Sequence, residues 1–140
     1  MSDLILETAE KIREEFKKKE HAKNSGTFTI TGPDVDFKAV LVQLTFSEEV
    51  DRLYITGRNG GDFAMWIVDI TKGGYYELDI GPDVTHRVTL VSNKADARSG
   101  TFVVDTDDDF TFAKGNFTFL ADDGSEYTGA FDIKPVKSSS

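Results

Sequence analysis

The chain has 140 residues, 39% of them hydrophobic and 11% aromatic, which is one domain's length with material for a real core. It contains no cysteine, which removes thiolate metal sites, disulfides and cysteine nucleophiles; two histidines, His21 and His86, leave a Ser/His/Asp triad or a multi-histidine metal centre almost nothing to build on. A formal charge of −9 argues against a nucleic-acid partner, because phosphate backbones are held largely by Lys and Arg.

The first 24 residues read as an amphipathic helix. Ile5, Ala9, Ile12 and Phe16 recur at helical spacing, and no Gly or Pro interrupts them until Asn24, Ser25 and Gly26 stop the run. Ser2 or Asp3 would cap the first turn, and Glu7 with Lys11, Glu14 with Lys18 and Glu15 with Lys19 are favourable pairs four residues apart. The apolar stripe has two expected uses: docking on the rest of the chain, over a sheet face or a barrel mouth, or pairing with a second copy as a homodimer. Docking is preferred, since about two heptads are short for an independent coiled coil. Nothing resembles a membrane span or a secretion signal, so a cytoplasmic location is expected for the chain as written. Export by a signal-independent route, or prior removal of a signal, stays open.

From residue 25 to 134 the period changes to two. Thr27, Thr29 and Thr31 alternate with Phe28 and Ile30, the pattern of a half-buried strand. Further strands are predicted near Asp36–Phe46, Arg52–Thr56, Asp62–Ile70, Tyr75–Ile80, Arg87–Ser92, Thr101–Asp105, Phe110–Ala113, Asn116–Leu120 and Tyr127–Ile133. Gly32-Pro33-Asp34, Lys72-Gly73-Gly74, Gly81-Pro82-Asp83 and Asp122-Asp123-Gly124 supply the turns. Gly57-Arg58-Asn59-Gly60-Gly61 reads as a hairpin turn and not a phosphate cradle, because a strand follows it where a phosphate loop needs a helix. The expected fold is all-β, an antiparallel β-sandwich with a β-barrel as the alternative, preceded by one helix. Residues 135–140 are expected to be a disordered tail. Gly32-Pro33-Asp34-Val35 returns as Gly81-Pro82-Asp83-Val84, and the same offset aligns Leu41-Val42 with Leu90-Val91 and Phe63-Ala64 with Phe112-Ala113. Chance recurrence of turn chemistry and strand alternation is the preferred account of it.

Charge is unevenly spread. Residues 2–23 carry six acidic and six basic side chains, so the β body holds the whole negative excess; residues 101–133 contribute eight acids against Lys114 alone. Asp105, Asp107, Asp108, Asp109, Asp122 and Asp123 are therefore the candidate metal ligands, for a calcium ion if their loops converge, although Phe110 stands where a calcium loop would place glycine. Solvated turn aspartates are the plainer reading. A carboxylate-pair glycosidase lacks the apolar burial that raises an acid's pKa.

Of the aromatics, Phe28, Phe63, Phe102, Phe112, Phe117, Phe119 and Phe131 sit at alternating strand positions and are expected in the core. Tyr75 and Tyr76, as strand neighbours, must face opposite sides. With Trp66 they are the candidate platform for a sugar ring or an apolar ligand.

Gly74-Tyr75-Tyr76-Glu77-Leu78, Ser99-Gly100-Thr101-Phe102-Val103-Val104, Lys114-Gly115-Asn116-Phe117-Thr118-Phe119 and Thr128-Gly129-Ala130-Phe131-Asp132-Ile133 together resemble a pattern in small bacterial all-β proteins of unknown function, many of which look like exported lipoproteins. The resemblance spans about residues 53–133 and implies the all-β fold; it brings no functional residues, and the lipidation cysteine of those proteins is absent here.

With the machinery of catalysis missing, the expected function is a non-enzymatic binding or interaction module with an unknown protein, small-molecule or glycan ligand. The alternatives are a calcium-dependent recognition or adhesion domain using the acidic loops, and a β-barrel carrier of a small apolar ligand.

Overall fold

A computed structural model describes residues 2–17, 24–33, 35–59, 62–80, 85–86, 97–121 and 124–135. Among these residues one helix, α1 (Ser2–Lys17), precedes ten strands: β1 (Asn24–Gly32), β2 (Val35–Lys38), β3 (Leu41–Ser47), β4 (Arg52–Asn59), β5 (Asp62–Val68), β6 (Gly74–Ile80), β7 (Thr85–His86), β8 (Ala97–Thr106), β9 (Ala113–Ala121) and β10 (Glu126–Pro135). The all-β expectation with one helix holds. Pro135 belongs to β10 and not to a tail, while the Arg87–Ser92 strand, the second members of the Gly-Pro-Asp and Leu-Val repeats, and Asp122 with Asp123 lie outside the described residues. Among the described residues no helix is long and apolar enough to cross a membrane.

The strands form one curled sheet in the order β10-β9-β8-β6-β7-β5-β4-β3-β1-β2, and β10 also pairs with β1, from Asn24 opposite Pro135 to Thr31 opposite Thr128. Among the described residues the pairings are antiparallel except the single β6–β7 contact, Ile80 opposite Thr85. The predicted run Asp36–Phe46 divides in two. Ala39 N still donates to Phe28 O on β1 at 2.9 Å, but Val40 N donates to Arg58 O on β4 at 2.8 Å, so the chain changes partner there. Gly60 and Gly61 lie outside the described residues, but β4 and β5 pair antiparallel out to Asn59 opposite Asp62, as the expected hairpin requires.

Alternation sorts the side chains. Phe28, Ile30, Leu53, Ile55, Trp66, Phe102, Phe117, Phe119 and Phe131 point inward and make one aromatic-rich core. The Trp66 ring lies 5.0 Å from Phe102 and 4.9 Å from Phe117. Gly129 faces inward beside Phe117 because it must: a β-carbon there would sit 2.4 Å from the Phe117 ring and 2.1 Å from the Thr29 carbonyl oxygen.

The helix lies outside this core. Ala9, Ile12 and Phe16 pack on Tyr54, Phe63, Met65 and Ile67, the outward residues of β4 and β5. Phe63 therefore belongs to the helix interface and not to the inner core where the alternation had placed it. Phe16, fully buried, meets the Phe63 ring edge-on at 6.3 Å and has the Arg58 guanidinium 5.4 Å over its own ring, while the Arg13 guanidinium stands 5.5 Å over the Phe63 ring. Burying a phenylalanine contributes about 2 kcal/mol, and each cation–π contact about 0.5–1 kcal/mol more. Docking on a sheet face is thus the use this fold makes of the stripe.

Candidate functional site

At the end of the sheet where β1 begins and β3 and β10 finish, an open groove of about 660 Å³ is bounded by Asn24, Leu44, Phe46, Glu48, Thr71, Asp108, Asp109, Phe110, Thr111 and Pro135. Its size is that of a small-molecule or side-chain site.

One wall is the loop from residue 107 to 112, which joins β8 to β9. Asp107 organises it: the carboxylate accepts from Thr111 N at 2.7 Å, from the Thr111 hydroxyl and from Phe112 N at 3.4 Å, and its carbonyl oxygen accepts from Phe110 N at 3.1 Å. Partial burial pushes this carboxyl's pKa up, but the hydrogen bonds from Thr111 and Phe112 outweigh it and hold the pKa below the ordinary aspartate value. Thr106 closes the neck, its hydroxyl donating to Phe112 O. Asp108 Oδ1 accepts from Gly73 N at 3.0 Å and ties in the β5–β6 connection, where the Tyr76 hydroxyl donates to the neighbouring Lys72 O at 2.8 Å. The approach at Gly73 leaves no space for a side chain, since a β-carbon would stand 2.3 Å from the Asp107 carbonyl carbon.

This framework holds Phe110 in the left-handed region at φ 53°, an uncommon conformation for an aromatic residue. The consequence is a stacked pair: the Phe110 and Phe46 rings are 4.5 Å apart and 12° from parallel, both half-buried at the groove. Asn24 stitches the floor, accepting from Leu44 N at 3.1 Å and donating to Thr111 O and Lys134 O at 3.4 Å. Glu48, Asp108 and Asp109 stand exposed around the rings, and the described lining residues include no Lys, Arg or His. Arg52, the arginine at this end, is occupied by Asp69 at 3.3 Å and by the carbonyl oxygens of Val50 and Asp51.

The aspartates singled out in the sequence part company. Asp107, Asp108 and Asp109 share the loop, with Asp107 turned to Thr111; Asp105 lies on the outer face of β8, opposite Lys114 of β9 and Tyr75 of β6. Among the described residues no group of three or more His, Asp or Glu is placed to hold a metal ion. The three aromatics of the expected platform are set apart by the fold. Trp66 is 0% exposed, whereas Tyr75 is 63% exposed on the outer face and Tyr76 packs against the core, so the three share no surface. Phe46 and Phe110 were not singled out. Asp107 and Thr111, an acid and a hydroxyl four residues apart around a turn, were the available signal for a loop where a strand was expected at Phe110–Ala113.

Comparison of the chain with family models, with curated proteins and with solved structures finds no match.

Proposed function

We propose that the protein is a non-enzymatic binding module that takes, in the end groove, a ligand carrying a positive charge beside a flat apolar group. The observation that carries this reading is the stacked Phe46–Phe110 pair next to Glu48, Asp108 and Asp109, with no cation among the described lining residues. A ring face and a carboxylate attract the same partner, a guanidinium, amidinium or ammonium with an apolar neighbour. Reaction chemistry is given no role in this reading: the hydroxyl–carboxylate pair at the wall, Thr111 with Asp107, is spent on holding the loop. The same reading takes the curled sheet as a barrel and not a sandwich: the eight residue pairs between β1 and β10 support closure on that side, and the inward rings occupy the space a carrier of apolar ligands would need.

Benzamidinium, with benzoate and benzamide as isosteric controls, tests the reading by amide chemical shifts in the labelled protein. Benzamidinium is expected to move Phe46, Glu48, Asp109 and Phe110, with the shifts shrinking as salt rises. Equal response to benzoate, or no response at these positions, overturns it.

A further inference from the structure

The outer face formed by β6, β8, β9, β10 and β1 carries a second depression, of about 570 Å³, on the side of the sheet away from the core. Its floor is a rank of side chains in register across five strands: Tyr75 opposite Asp105, Asp105 opposite Lys114, Lys114 opposite Asp132, and Asp132 opposite Thr27. Beside it runs a second rank, Glu77, Val103, Asn116, Ala130 and Thr29.

Two properties set this face apart from the end groove. Lys114 stands between Asp105 and Asp132, so donors and acceptors alternate across the strands; with Glu77 the two ranks hold three acids against one lysine, and an anionic ligand gains nothing here. Tyr75, at 63% exposed, is the large aromatic of the face, and its hydroxyl donates to Glu77 Oε1 at 3.0 Å. That hydrogen bond, then burial, then the charges of Glu77 and Asp105 hold the phenol above its ordinary pKa, so it stays a neutral donor. The ring is pinned along its own strand before any ligand arrives, which lowers the entropic cost of stacking on it.

We propose that this face is a binding site for a neutral saccharide, with one sugar ring on Tyr75 and its hydroxyls on Asp105, Lys114 and Asn116. A sugar presents an apolar C–H face and a rim of hydroxyls that both donate and accept. An aromatic ring flanked by alternating acceptors and donors, spaced by the roughly 4.8 Å between strands, matches both features. The site is independent of the end groove and stands or falls separately.

The test is a titration of the intact chain with cellopentaose and with maltopentaose, followed by amide shifts, with penta-galacturonate as the anionic control. At least one neutral sugar is expected to move Val103, Asp105, Lys114 and Asn116 and to leave Phe46 and Phe110 in place. Tyr75→Ala should weaken that binding about tenfold, the loss of one stacked ring, while Tyr75→Phe should weaken it by no more than about threefold. Because Tyr75 is exposed, an unchanged thermal midpoint in both variants verifies that they fold. The proposal is overturned if neither neutral sugar moves these amides, if Tyr75→Ala binds as tightly as the parent chain, or if the galacturonate binds better.

Discussion

The two sides of the sheet use the same alternating code to different ends. On β4 and β5 both faces are apolar: Leu53, Ile55, Ala64, Trp66 and Val68 point to the core, and Tyr54, Phe63, Met65 and Ile67 point out and are covered by α1. On β8, β9 and β10 the inward set is as apolar, but the outward set is mostly polar: Thr101, Asp105, Lys114, Asn116, Thr118 and Thr128 are all exposed, with Val103, Leu120 and Ala130 as the apolar members among them. The difference teaches that the inward residues build the fold while the outward ones decide what else the strand meets: a helix on one side, water or a polar ligand on the other.

Removing the helix anchor should produce the largest effect. Phe16→Ala empties a fully buried position between Phe63 and Arg58, and about 3 kcal/mol of stability should be lost in urea unfolding. A loss under about 1 kcal/mol would mean that the helix adds little to the folded state. On the uncovered side the vulnerable point is inward. Gly129→Ala forces a methyl group against the Thr29 carbonyl and the Phe117 ring, and should cost about 2–3 kcal/mol by the same measurement. Its outward neighbour Ala130→Thr should change stability by less than about 0.5 kcal/mol.

The smallest effect concerns the groove loop. Asp107 has a folded pKa below the ordinary aspartate value, so the unfolded chain binds its proton first as pH falls. The stability it contributes is present above the ordinary value of 3.8 and is lost as pH drops through the lowered folded value. In an acid titration followed by amide shifts, Thr111 and Phe112 should therefore move together below pH 3.8, and Asp107→Asn should abolish that step. Persistence of the step in the variant would assign it to another carboxyl.

Local chemistry explains which parts were legible beforehand. The β-branched and aromatic alternation of Thr27–Thr31 marks β1, and the glycine pair at 60–61 marks the β4–β5 turn, because each signal acts within a few residues. The split of β2 from β3 was not legible. It depends on Val40 exchanging one neighbouring strand for another, a choice made between segments far apart in the chain. The groove was half legible: its acids were visible as a charge excess, but Phe46 and Phe110 lie 64 positions apart and meet only when β3 and the 107–112 loop reach the same end.

From its sequence alone this protein is an all-β chain with one amphipathic helix, a neutral start and an acidic body, because periodicity and charge are properties of neighbouring residues. Tertiary structure decided that the helix covers β4 and β5, that Trp66 is enclosed while Tyr75 is bare, and that Asp105 leaves the other aspartates for the outer face. The physical reason is that a strand's pleat divides its side chains into two sets, while the curl of the whole sheet and the docking of the helix determine which outward set remains in water.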